Sequence, residues 1–122
     1  MKKSGSTHWV IPDGYIPPTS TGDLQSHESI CVLNLHEEEA KLQFTIYFED
    51  RPPLESIAAR VGGKRTKHIR TSELRKGDDG IPAGVPYAIE IKSNVPIIVQ
   101  YSRLDTTQPA LALMSTMAYV LE

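Results

Sequence analysis

Apolar and polar side chains alternate along much of this chain. Leu42, Phe44, Ile46 and Phe48 are interleaved with Gln43, Thr45 and Tyr47, and Tyr87, Ile89 and Ile91 with Ala88, Glu90 and Lys92. A period of two sends one set to each face of a pleated strand, so both stretches read as half-buried strands. Ile30-Cys31-Val32-Leu33 and Ile97-Ile98-Val99 are apolar at every position, which predicts central strands covered on both faces. His8 to Ile11, Ser56 to Val61 and Arg65 to Arg70 are shorter strand candidates. Ala112 to Val120 mixes helix-favouring Ala, Leu and Met with Ser115-Thr116 and Tyr119-Val120. Its all-β surroundings decide for a final strand.

Turn chemistry separates these segments. Pro12-Asp13-Gly14, Pro17-Pro18, Pro52-Pro53, Gly62-Gly63, Gly77-Asp78-Asp79-Gly80 and Asn94-Val95-Pro96 all break regular structure. The acidic His36-Glu37-Glu38-Glu39 is expected at a solvated hairpin tip. The irregular stretch from Pro12 to Ser29 is long for a passive connector, and loops of that length often carry function. About eight short strands predict an all-β fold, an antiparallel, jelly-roll-like β-sandwich. At 122 residues the chain is expected to form one domain over residues 1–122.

Composition narrows the function classes. The formal net charge of −2 offers no general attraction to nucleic acid or anionic membranes. One cysteine, Cys31, precludes an internal disulfide and suits a reducing compartment. No apolar signal core follows the basic start, and no run approaches the roughly 20 apolar residues that span a bilayer. The expected location is the cytoplasm.

Candidate chemistry sits at strand ends. The run Ser93 to Asp105 opens on a turn signal, continues through β-branched residues and ends in Arg103 and Asp105, which share a face two residues apart. They form either a structural pair or a donor–acceptor set for a polyol, sugar or carboxylate, with Gln108 just beyond. Lys64 to Arg70 holds four cations in seven residues. Those cations either guard an exposed strand or contact phosphates, and His68 and Arg70 are expected to face inward at the rim of the sandwich. His27 and Glu28 precede the buried strand at Ile30, and as neighbours on extended backbone they face opposite ways. Trp9 and Tyr47 are either core residues or flat platforms for a sugar face. The four histidines lack metal-ligand spacing, and no nucleophile elbow, phosphate-binding loop or dinucleotide motif occurs. No cofactor and no enzymatic activity are expected.

A family resemblance rests on these same segments. It runs through Trp9, Gly14-Tyr15-Ile16-Pro17-Pro18, Ser26-His27-Glu28, Cys31-Val32-Leu33-Asn34, Ile46-Tyr47 and Asp50. It continues through Arg65-Thr66-Lys67-His68, Arg70, Ser93-Asn94-Val95-Pro96-Ile97, Val99-Gln100, Arg103-Leu104-Asp105, Gln108, Ser115-Thr116 and Ala118-Tyr119. In this order they resemble the small bacterial sensory rhodopsin transducers. The resemblance implies a β-sandwich, assembly as a homotetramer, and a signalling role beside a membrane photoreceptor or another partner. It also implies a small-molecule ligand, sugars foremost, with DNA association through Lys64 to Arg70 as the alternative. The polar positions it carries over as ligand-binding are Trp9, His27, Glu28, Tyr47, Arg65, His68, Arg70, Arg103, Asp105 and Gln108. A subset is expected to line one open end of the sandwich. The chain departs from the family pattern over 19–25, 51–63 and 75–85, leaving ligand identity open because loops set ligand choice.

Overall fold

Two antiparallel sheets share one long strand. The computed structural model describes residues 4–121 and contains β1 (Ser6–Tyr15), β2 (His27–Asn34), β3 (Ala40–Phe48), β4 (Leu54–Val61), β5 (Arg65–Arg70), β6 (Pro86–Asp105), β7 (Ala112–Met117) and β8 (Tyr119–Val120). A single 3-10 turn, Thr71–Glu73, follows β5. The first sheet runs β4-β3-β6-β1-β8. The second runs β5-β2-β6-β7. The first half of β6 pairs with β1 and β3, and its second half with β2 and β7. The all-β sandwich expected from the periodicity is the fold observed.

The alternating positions fill the space between the sheets. Phe44, Ile46, Ile89 and Ile91 of the first sheet and Ile30, Val32, Val99 and Tyr101 of the second are all buried in one core cluster. Each such aliphatic or aromatic side chain stabilises the fold by roughly 1.5–3 kcal/mol relative to exposure. Their polar neighbours, such as Gln43 and Lys92, remain exposed.

Three local expectations are corrected. Asn94-Val95-Pro96 does not interrupt a strand: β6 runs through it for 20 residues and bends from one sheet into the other. Asn94 Oδ1 accepts from the Lys41 backbone N–H at 2.6 Å, so the turn-forming side chain anchors the bend. His36 to Glu39 is no hairpin tip, because β2 and β3 belong to different sheets and do not pair. It is a corner held by Asn34, whose amide donates to the carbonyls of Glu38, Val61 and Gly62. The C-terminal segment divides at Ala118, whose N–H reaches Val99 O at 3.1 Å while Leu121 N–H reaches His8 O at 3.0 Å. The chain there steps from the edge of the second sheet to the edge of the first.

One face stays open. Ile30 and Val32 are buried, yet Leu33 is exposed and Cys31 and Ile98 are half-buried. The strands expected to be covered on both faces are covered on one.

Candidate functional site

Glu28 lies inward on β2, with its side chain fully out of solvent. Burying a carboxylate is costly unless donors surround it. Here four do. Tyr87 and Tyr101 donate their hydroxyls to Oε1 and Oε2. Arg103 Nε donates to Oε2 at 2.6 Å, and the Tyr15 backbone N–H lies 2.9 Å from Oε2 and 3.1 Å from Oε1. Burial, then the charge of Glu28, raises the Tyr87 pKa far above its ordinary value. Burial and the bond to Glu28 raise that of Tyr101. Burial of Arg103 pulls its pKa down, but the bonds to Glu28 and Tyr101 outweigh that and hold it above the ordinary arginine value.

Strand register builds this cluster. Glu28 is the direct partner of Arg103, and Arg103 in turn of Met114, so the three form one row across the second sheet that runs from the buried carboxylate to the exposed methionine. Tyr87 enters from the far sheet opposite Gly14 of β1. A Cβ at position 14 would stand 2.4 Å from the Tyr87 ring, so only glycine lets the phenol pass. A register shift between Ile11 and Gly14 bulges β1 and leaves Asp13 exposed on it.

An apolar cleft of about 210 Å³ opens beside the network, lined by Ile11, Pro12, Asp13, Tyr101, Met114, Thr116, Met117 and Ala118. It lies between β1 and β7. Arg103 Nη2 stands 4.0 Å from Asp13 Oδ2, beyond hydrogen-bond length. Nε of that guanidinium is committed to Glu28, while Nη2 is turned toward the Asp13 side of the cleft. On the other side of Asp13, a shallower cavity of about 320 Å³ is bordered by Tyr47, Phe48, Glu49 and Tyr87.

Of the ten positions singled out in the sequence, the structure joins Glu28 and Arg103 directly. His27, Glu28 and Arg70 border a crevice of about 60 Å³ at the same end, and His27 Nδ1 lies 2.9 Å from Gln25 O. Asp105 does not pair with Arg103: its Oδ1 accepts from the Thr107 N–H and hydroxyl at 2.9 and 2.7 Å. Gln108 lies exposed in the loop that follows. Trp9 is a core residue whose Nε1 donates to Ser6 O and Ile97 O at 2.9 and 3.1 Å. Tyr47 lies on the outer face of the first sheet, donating to Glu90 Oε1 at 2.6 Å, and His8 Nε2 meets Glu90 Oε2 at 2.5 Å. The bonds from Tyr47 and His8 lower the Glu90 pKa.

Arg65 is exposed and folds onto the carbonyls of Gly63 and Lys64. His68 and Arg70 point outward, contrary to expectation, because the buried residue of β5 is Ile69, paired with Ile30. Tyr87, Tyr101 and Asp13 belong to the site and were missed. Two buried tyrosines read as core in any strand pattern, and only their convergence on a carboxylate marks them out. Among the described residues, no three or more His, Cys, Asp or Glu side chains gather as a metal site.

The family model described as Anabaena sensory rhodopsin transducer matches residues 4–120. The chain belongs to that family. A solved structure of the Anabaena sensory rhodopsin transducer is 42% identical, covering 83% of this chain and 90% of its own, with a TM-score of 0.74. The crystal structure of Thermotoga maritima 1070 is 39% identical over 96% of both chains, with a TM-score of 0.86. No curated protein matches. Among the described residues, no helix is long and apolar enough to cross a membrane. For a member of the sensory rhodopsin transducer family, the feature to explain is a buried, four-donor carboxylate that holds an arginine beside a cleft.

Proposed function

We propose that this chain is a non-catalytic, cytoplasmic transducer that binds a small polyhydroxylated molecule, sugar-like in chemistry, in the cleft between β1 and β7. The observation that carries this reading is the tethering of Arg103 through Nε by buried Glu28, with Nη2 4.0 Å from Asp13 at the cleft. A fixed donor beside an exposed acceptor suits vicinal hydroxyls. Ile11, Met114 and Tyr101 offer apolar surface for C–H faces. Glu28, Arg103 and Asp13 together carry one net negative charge, which favours a neutral ligand over an anion. The volume falls below the usual ~300–1,000 Å³ of drug-sized sites, so the ligand is small.

Binding would act by shifting a pre-existing equilibrium between partner or assembly states. The related Anabaena protein is named as the transducer of a sensory rhodopsin. A receptor partner is therefore part of this reading, as is the homotetrameric assembly that the family resemblance implies. The DNA alternative has less support. Arg65 folds onto the carbonyls of Gly63 and Lys64, and Lys67 Nζ donates to Arg60 O at 3.1 Å, so both cations are turned onto the chain itself.

A thermal-shift screen against neutral sugars, sugar acids and nucleotides tests the proposal. A neutral sugar at 100 times its Kd should stabilise the fold by about 2.7 kcal/mol. Arg103→Met should abolish that shift. A screen in which only anions stabilise the protein, or none of the compounds does, overturns the reading.

A further inference from the structure

Every polar side chain on the wall of one cavity is an acceptor. The cavity, of about 320 Å³, lies on the side of Asp13 away from the cleft, and its polar side chains are Asp13, Tyr47, Glu49 and Tyr87. Tyr87 gives its hydroxyl proton to Glu28, and Tyr47 gives its own to Glu90 at 2.6 Å. A hydroxyl has one proton, so both oxygens present only lone pairs to a further group. The carboxylates of Asp13 and Glu49 likewise accept and do not donate. Pro12 and Pro86 also border the cavity, and neither has a backbone N–H to offer.

The wall is also negative and aromatic. Asp13 keeps 84% of its side chain exposed and stands 4.0 Å from Arg103 Nη2, beyond hydrogen-bond length. Glu49 is exposed and, among the described residues, enters no ion pair. Glu90, held below the ordinary carboxylate range by its bonds to Tyr47 and His8, adds negative charge behind Tyr47. Phe48 contributes a ring that already attracts a cation, because the Arg51 guanidinium lies 5.1 Å from its centroid. Arg51 itself is paired with Asp50 at 3.0 Å and is not part of the wall.

We propose that this cavity is a second binding site, and that it takes a small primary alkylammonium ion. An acceptor-only wall with two carboxylates selects a ligand that is cationic and rich in N–H donors. Asp13, Glu49 and the Tyr47 oxygen accept those donors, and Pro12, Phe48 and Pro86 give apolar surface to the methylenes. A neutral sugar fits less well, because its hydroxyl oxygens find no side-chain donor here. The volume sits at the low end of the ~300–1,000 Å³ usual for small-molecule sites, so the ion is small. The inference goes beyond the cleft proposed above and stands without it. Asp13 borders both, whereas Tyr47, Phe48 and Glu49 border this cavity and not the cleft.

The test is a titration of isotope-labelled protein with n-butylammonium chloride at constant ionic strength, followed through the amide resonances by NMR. Saturable shifts are expected around Asp13, Tyr47 to Glu49 and Tyr87 to Ala88, with a Kd on the order of millimolar for a ligand of so few atoms. Glu49→Gln should weaken binding about tenfold, as the loss of a hydrogen bond to a charged group does. Glu49→Lys should abolish it. Tetramethylammonium carries the charge without an N–H and should bind more weakly than butylammonium. Met114→Trp, which fills the cleft, should leave butylammonium binding unchanged. Shifts that fail to saturate, that persist in Glu49→Lys or that vanish in Met114→Trp overturn the proposal. Equal binding of tetramethylammonium overturns it as well.

Discussion

Glu28 and Arg103 are direct register partners on β2 and β6, and Arg103 Nε lies 2.6 Å from a carboxylate with no solvent exposure. The arginine side chain keeps 24% of its surface exposed. The pair therefore joins the core to the outside: one charge is sealed in, and the other is held at the cleft. This geometry makes the network structural, and in the proposed function it also fixes the donor at the cleft.

Removing the sealed charge should be costly. Glu28→Ala leaves Arg103 without its carboxylate and two buried phenols without an acceptor, and breaking such a pair costs about 3–5 kcal/mol. Glu28→Gln keeps the shape but presents an amide NH₂ to a set of donors, at a cost of about 1–3 kcal/mol. Urea denaturation of both variants should rank them in that order.

The buried tyrosines make a pH prediction. Their folded-state pKa values are raised, so the folded protein retains the phenolic protons that the unfolded chain releases near pH ~10. Their contribution to stability is complete below that pH and is lost as pH rises above it. In a tyrosinate absorbance titration, Tyr87 and Tyr101 should ionise only on unfolding. The double variant Tyr87→Phe/Tyr101→Phe should remove that delayed fraction and leave the earlier one intact.

Gly14 is needed for space. Gly14→Ala sets a methyl group 2.4 Å from the Tyr87 ring, which must then withdraw from Glu28. Overpacking of this kind costs about 1–3 kcal/mol. Thermal denaturation should show the loss, and in a Tyr87→Phe background the same Gly14→Ala change should cost less, because the ring then has no bond to Glu28 to lose as it withdraws.

Two substitutions separate the cleft from the core. Met114→Trp fills the wall of the cleft, so it should abolish any sugar-induced thermal shift while changing stability by less than about 1 kcal/mol at this exposed position. Trp9→Phe should do the reverse. It removes an indole N–H bonded to Ser6 O and Ile97 O, costing about 1 kcal/mol or more, and should leave the ligand shift in place.

How much was legible in the chain differs element by element. The period of two at Leu42 to Phe48 and at Tyr87 to Lys92 located β3 and the first half of β6, because a half-buried strand imposes that period on its own sequence. The pattern gave no warning that residues on either side of Asn94-Val95-Pro96 form one strand. Turn residues bend β6 there without ending it, since Asn94 is tied to Lys41 from another strand. Likewise His36 to Glu39 looked like a hairpin tip, because local chemistry is the same whether a turn stays in one sheet or crosses to the other.

The candidate site was half visible. Glu28 and Arg103 stood out as charges next to apolar strands, but their pairing, 75 residues apart, is a consequence of register. The nearer Asp105 looked the better partner for Arg103 and instead accepts from Thr107. The sequence by itself determined the alternating faces of β3 and of the first half of β6, the all-β class and the family, because these follow from local periodicity and from ordered segments along the chain. Only the tertiary structure decided which polar groups meet and where the cleft opens. Those depend on how two sheets are laid against each other, and no local pattern encodes that.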